Sequence, residues 1–165
     1  MAKIGLFTGS FDPVTNGHLD IITRASRLFD TLYVGIFYNK DKKGLFTIEE
    51  RKQMLEDSLA QLPNVKVITA RDSLAVDIAR RLEVGYLLRG IRNSKDLDYE
   101  ADLAFYNHHL ATEIESVFLL SSPELVHVSS SRVRELMYFH SDISAFVPES
   151  VVKKVEEKYD NLKKI

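Results

Sequence analysis

Five short runs rich in β-branched and aromatic residues alternate along this chain with stretches whose apolar residues recur every three or four positions, and that alternation restricts the fold most. The runs are Ile4, Leu6 and Phe7; Leu32 to Tyr38; Val65, Val67 and Ile68; Tyr86 to Leu88; and Val117 to Leu120. Between them come helical patterns. Leu19, Ile22 and Phe29 predict a helix ending near Phe29 and Asp30. Thr47 with Glu50 forms a capping box before Ile48, Met54, Leu55 and Leu59, and Pro63 and Asn64 stop that helix. Leu74, Ala75, Ile78 and Leu82 mark a third, and Leu97, Ala101, Ala104 and Phe105 a fourth. The Ser129 to Ser131 triplet opens a fifth with Val133 and Leu136, and a last amphipathic helix carries Val151, Val152, Val155, Tyr159 and Leu162. Strands separated by helix-length segments pair in parallel through right-handed crossovers. The expectation is an α/β chain: a doubly wound, Rossmann-like, five-stranded parallel sheet with a C-terminal helix. At 165 residues the chain fits one domain, 1–165, that buries about 70% of its unfolded surface.

In such sheets ligands bind beyond the carboxyl ends of the strands. The polar segments fall there. GSFDPVTNGH, Gly9 to His18, follows the first strand; a loop with Lys40, Lys42 and Lys43 follows the second; Arg89, Gly90, Ile91 and Arg92 follow the fourth; and the serine triplet follows the fifth. In the first loop Gly9 and Gly17 permit close approach, Pro13 stiffens the turn, and Asn16 or Thr15 caps the helix, leaving His18 in its first turn. Free N–H groups and the dipole at that helix start suit a phosphate. Arg89 and Arg92, with Gly90 between them, suit bidentate grip on phosphate oxygens. The spacing of Gly9 and Gly17 does not give GxGxxG, and no Gly-Lys-Ser/Thr follows, so dinucleotide redox and P-loop readings lose their support.

Composition removes further classes. With 22 Lys and Arg against 24 Asp and Glu there is no basic excess to hold a nucleic-acid backbone, so no nucleic-acid partner is expected. The absence of cysteine excludes disulfides, thiolate metal sites and a cysteine nucleophile, and fits a cytoplasmic protein. No apolar stretch approaches the ~20 residues of a membrane span, so no membrane partner is expected either. His108, His109, His127 and His140 have no companions at metal spacing.

GSFDP followed by TNGH resembles the (H/T)xGH signature of the nucleotidyltransferases, and VSSSRVR, Val128 to Arg134, resembles their second signature, ISSTxxR or ISSSxxR. RGIRNSKDLDYE and KKGLFTIEER are similar to segments of the bacterial-type phosphopantetheine adenylyltransferases, and the likeness covers essentially the whole chain. The resemblance implies transfer of the adenylyl group of ATP to 4'-phosphopantetheine, giving 3'-dephospho-CoA and pyrophosphate in coenzyme A synthesis. It also implies Mg²⁺, feedback by coenzyme A and a homohexamer. The substrate phosphate is largely a dianion at neutral pH, so positioning and charge neutralisation suffice without a nucleophilic side chain.

On that resemblance Lys42, Arg89 and the Ser10 hydroxyl would hold the incoming phosphate. His18 would hydrogen-bond the α-phosphate, while Arg92, Ser129, Ser130 and Ser131 would hold the departing pyrophosphate. Matching positions put Phe11, Gly90, Ile91, Glu100 and the segment Leu125, Val126, His127 and Val128 around ATP, and Ala75 beside the pantetheine arm. Three positions depart from the family's usual residues: Ser10 for Thr, Thr8 for Pro, and Ala75 for a larger hydrophobe. Two other readings share these residues. One is adenylylation of a different phosphate such as nicotinamide mononucleotide; the other is a non-catalytic nucleotide sensor, which would have no use for His18 as a transition-state group.

Overall fold

The computed structural model describes the backbone of residues 1–163 and the side chains of residues 1–161. Leu162, expected on the last helix's apolar side, has its side chain outside the described residues. Strands β1 (Ile4–Gly9), β2 (Thr31–Tyr38), β3 (Val65–Arg71), β4 (Tyr86–Ile91) and β5 (Glu115–Leu120) form one parallel sheet in the order β3-β2-β1-β4-β5. Helices α1 (Asn16–Ala25), α2 (Ile48–Leu59), α3 (Ala75–Arg81), α4 (Ser94–Leu110), α5 (Ser130–Tyr138) and α6 (Glu149–Lys163) complete the doubly wound architecture. None of the helices among the described residues is long and apolar enough to cross a membrane.

Strand period 2 sorts the side chains to two faces. Phe7, Leu32, Val34, Ile36 and Leu88 point into one apolar cluster with Ile22 of α1, Leu55 of α2, Val133 of α5 and Val151 of α6. Leu6 and Leu87, their immediate neighbours, point into the other with Val76 and Ala79 of α3. Strand order reverses between β1 and β4, which opens the crevice in which such sheets bind ligands.

Gly9, expected in the loop, ends β1, and Leu74 and Leu82, expected on the third helix, cap α3 from outside it; two other boundaries differ more. The first helix stops at Ala25, where Ser26 caps it, and Leu28 closes a turn onto the Ala25 carbonyl. Phe29 is buried from that turn, not from the helix, which is why the helical spacing includes it. Strand β4 runs on through Arg89, Gly90 and Ile91 because β5 pairs with it as far as Ile91 and Leu120. Tertiary pairing outweighs the poor strand propensity of an Arg-Gly step.

Candidate active site

The loop between β1 and α1 fixes His18 by an exchange at the helix start. Thr15 is the N-cap: its Oγ1 accepts the His18 backbone N–H at 3.3 Å, and its own N–H donates to His18 Nδ1 at 3.0 Å. A capping box is usually closed by Glu or Gln; here the imidazole does that work. Because Nδ1 must accept, the ring's hydrogen sits on Nε2. Burial first, then the positive charges of Arg89 and Arg92, push the His18 pKa down to about 4. The ring lies edge-on to Phe11, centroids 4.9 Å apart. Phe11 has φ 47°, a left-handed conformation costly for a bulky residue, and is 1% exposed beneath the histidine. A Cβ at Gly9 would come within 3.0 Å of that ring, so any larger residue there would have to push the Phe11 ring aside.

Asp12 ties this loop to the lysine loop. Its carboxylate accepts the backbone N–H groups of Leu45 (2.8 Å) and Phe46 (2.9 Å) and lies 3.3 Å from Arg51 Nε. Arg51, buried on α2, also donates to the carbonyls of Phe46 and Ser10, at 3.0 and 3.1 Å. From the other side Arg134 donates to the Asp12 carbonyl at 2.7 Å, and the Ser130 hydroxyl to the Pro13 carbonyl at 2.7 Å. The sequence motifs give Asp12 and Arg51 no role of their own. A signal existed, since Arg51, Met54 and Leu55 share the helical spacing of one buried face.

Arg89 is held by neighbouring protein groups. Its Nε donates to both Glu100 oxygens at 2.9 Å, Nη2 donates to Oε1 at 2.7 Å, and Nη1 donates to the carbonyl and the hydroxyl of Thr8. Of its five N–H hydrogens, one on Nη2 is left for a ligand. Arg92 donates from its backbone N and Nε to Asp96 Oδ2, each at 3.0 Å. Burial opposes ionisation of Asp96, but the Arg92 hydrogen bonds and the Arg92 and Arg89 charges outweigh it and hold the carboxyl below its ordinary range. The three serines divide their tasks. Ser129 caps α5 through the Arg132 N–H at 3.2 Å, Ser130 binds Pro13, and Ser131 accepts from Arg134 at 3.2 Å.

Three cavities meet along this edge. One of about 410 Å³ is lined by His18, Arg89, Gly90, Arg92, Glu100, Leu125, Val128 and the serine triplet. A second, about 670 Å³, is bordered by Lys42, Lys43, Arg51, Asp72 and Arg134. The third, about 360 Å³, is bordered by Leu74, Ala75, Arg89, Glu100, Leu103 and Asn107. Ser10 lines all three. Four residues expected around ATP do not border these cavities: Phe11, packed against the His18 ring, and Ile91 are buried, His127 is exposed, and Val126 is half-buried. Phe11 turns inward through its left-handed backbone, and Ile91 lies on the β4 extension. Among the described residues, no three His, Asp or Glu side chains gather as a metal site.

The family model described as cytidylyltransferase-like matches residues 6–136. A protein of Streptococcus mutans named phosphopantetheine adenylyltransferase is 61% identical over 163 residues, 99% of this chain and 98% of its own. One of Streptococcus pneumoniae with the same name is 57% identical over 96% of this chain and 98% of its own. A crystal structure from Vibrio parahaemolyticus, provisionally assigned as a nicotinate-nucleotide adenylyltransferase, superposes with a TM-score of 0.66 at 19% identity, over 94% of this chain and 99% of that one. That last likeness concerns the fold alone.

Proposed function

The chain belongs to the cytidylyltransferase-like family, alongside the phosphopantetheine adenylyltransferases, and from that premise we propose that it transfers the adenylyl group of ATP to 4'-phosphopantetheine, releasing pyrophosphate and 3'-dephospho-CoA. The observation that carries the reading is the position of Ser10 where the three cavities meet. A phosphate held there would face the α-phosphate of a nucleotide in the His18 cavity, while the rest of its molecule extends toward Ala75. An oxygen of the substrate phosphate forms a bond to the α-phosphorus, the bond from that phosphorus to the α–β bridging oxygen breaks, and the electron pair leaves with pyrophosphate.

In this reading Ser10, Lys42 and Arg89 receive the attacking phosphate. His18 donates from Nε2 to an α-phosphate oxygen, where charge develops in the transition state. The backbone N–H groups at the start of α5, framed by Ser129, Ser130 and Ser131, and the Arg92 guanidinium receive the leaving pyrophosphate. Gly90, Leu125 and Val128 border the nucleotide. Glu100 acts through Arg89, and Ala75 lies on the wall of the pantetheine channel.

Of the carboxylates that line the cavities, Asp12, Asp96 and Glu100 are each engaged by an arginine, and Asp72 accepts the Lys40 backbone N–H at 3.2 Å. They do not fit a resident divalent ion, so Mg²⁺ is read as part of the Mg-ATP substrate, held by the nucleotide's own phosphates. Feedback by coenzyme A is part of the same reading, because its pantetheine and adenylate parts match the two substrates. Dependence on ATP suits a cytoplasmic location. A homohexamer is proposed on the apolar side chains that α4 exposes.

The test is pyrophosphate release from Mg-ATP with 4'-phosphopantetheine and, separately, with nicotinamide mononucleotide. Release with the first alone is expected. Release with the mononucleotide alone would overturn the substrate assignment, and release with neither, while ATP binds, would favour a sensor.

A further inference from the structure

Helix α1 carries a second polar side chain toward the nucleotide cavity's surroundings, two residues after His18. Asp20 Oδ2 accepts the Ser122 hydroxyl at 2.9 Å, the Ser122 backbone N–H at 3.3 Å and Arg24 Nη2 at 3.0 Å. Arg24 Nη2 also donates to the carbonyl of Leu120, the last residue of β5. Both ends of the turn that leaves β5 are thus held from α1. Ser122 stands at the N-cap of a 3₁₀ turn, Pro123–Leu125, yet its hydroxyl does not cap that turn because Asp20 takes it.

The restraint continues along the chain. Leu125 N–H donates to the Ser122 carbonyl at 2.9 Å, and Val128 N–H donates to the Leu125 carbonyl at 3.0 Å. Leu125 and Val128 line the nucleotide cavity, and Val128 precedes Ser129, the cap of α5. The segment passes close to the start of α1: a Cβ at Gly17 would meet the Val128 and Leu125 carbonyl oxygens at 3.7 and 3.9 Å. Asp20 itself lines none of the three cavities.

We infer that Asp20 is a positioning residue for the nucleoside triphosphate: through Ser122 it sets the Leu125–Val128 wall at a fixed distance from His18. The inference rests on the reading that this cavity takes ATP. A residue that merely stabilises α1 would change both substrates alike or neither. A residue that sets this wall changes ATP alone.

The experiment measures the ATP Kd by calorimetry without the second substrate, and then KM for each substrate, in the wild-type enzyme and in Asp20→Ala, Asp20→Asn and Ser122→Ala. Losing a charged acceptor with two Ser122 donors is expected to raise Kd and KM for ATP about tenfold in Asp20→Ala. Its kcat should stay within about threefold of wild type, and KM for phosphopantetheine should not move. Asn keeps an acceptor oxygen and should restore most of the affinity. Ser122→Ala should shift ATP in the same direction by less, and the double variant Asp20→Ala with Ser122→Ala should bind ATP no worse than Asp20→Ala alone. An unchanged ATP Kd in folded Asp20→Ala, or equal losses for both substrates, overturns the inference. If Asp20→Ala does not fold, an unchanged ATP Kd in Ser122→Ala overturns it. A wild-type enzyme that binds ATP but makes no 3'-dephospho-CoA would refute the proposed reaction and leave the calorimetric test of Asp20 standing.

Discussion

Thr15 donates its backbone N–H to Nδ1 of His18 across 3.0 Å, and that hydrogen bond decides which ring nitrogen can serve a phosphate. The ring is neutral at pH 7 because burial and the nearby Arg89 and Arg92 disfavour its charged form. It is therefore a preorganised neutral donor through Nε2. Nitrogen-15 NMR of the ligand-free protein should report the Nε2–H tautomer and no His18 titration above pH 5. Replacing His18 by Ala should lower kcat on the order of 10²–10³-fold while ATP still binds.

The same shift makes a statement about stability. His18 has a pKa of about 4 in the folded chain against an ordinary value of 6.5, so between those values the unfolded chain binds more protons. Its contribution is complete above pH 6.5 and is lost as pH falls from 6.5 toward 4. Melting temperatures should fall through that window, and the fall should be shallower in His18→Gln. Equal slopes for the two proteins would count against a depressed His18.

The Asp12 and Arg51 pair joins two loops of the site while buried, with the two side chains 10% and 6% exposed. Breaking a buried pair from one side leaves an uncompensated charge and commonly costs about 3–5 kcal/mol. Asp12→Ala and Arg51→Met should each lower the urea midpoint by that equivalent. Arg51→Lys should not recover it, because a single ammonium cannot reach Asp12 and the Phe46 and Ser10 carbonyls together. Recovery by Lys would show that charge alone, without the fork geometry, holds the loops.

Much of this arrangement was legible in local pattern. Alternating runs located the five strands, and the polar segments after four of them indicated one working edge. What local pattern could not show was partnership. RGIR reads as a segment that follows the fourth strand, yet β5 extends β4 as far as Ile91 and thereby aims Arg89 at Glu100 and Thr8. Glu100 reads as a residue around ATP, but its carboxylate is committed to Arg89 from eleven positions along the chain. Asp20 belongs to no motif in the sequence; its meaning comes from Ser122, 102 residues away.

That commitment of Glu100 leads to a separable effect. Arg89 keeps its orientation through Glu100 and Thr8, and it borders both the His18 cavity and the Ala75 cavity. Glu100→Ala would leave the guanidinium with Thr8 alone. KM for phosphopantetheine is expected to rise at least tenfold, and more than KM for ATP, because Arg89 is proposed to receive the attacking phosphate. Steady-state kinetics with each substrate varied in turn would decide it. A larger rise for ATP would place Glu100 and Arg89 on the nucleotide instead.

Helix α4 spans seventeen residues, and Glu100 alone among them is buried. Leu97, Tyr99, Leu103, Phe105, Tyr106 and Leu110 are all exposed, and Phe105 packs edge-on against Tyr106 at 5.4 Å. Tyr99 and Leu103 border these cavities, whereas Phe105 and Tyr106 border none of the three. An apolar surface with no ligand to cover is what a subunit interface leaves on an isolated chain. If α4 builds the proposed hexamer, light scattering should give six chains for the wild type. Phe105→Asp or Tyr106→Asp would place a charge in an apolar interface and should give fewer chains, with the fold retained by circular dichroism. Hexamers in both variants would assign the assembly to another surface, and a monomeric wild type at micromolar concentration would refute the hexamer itself.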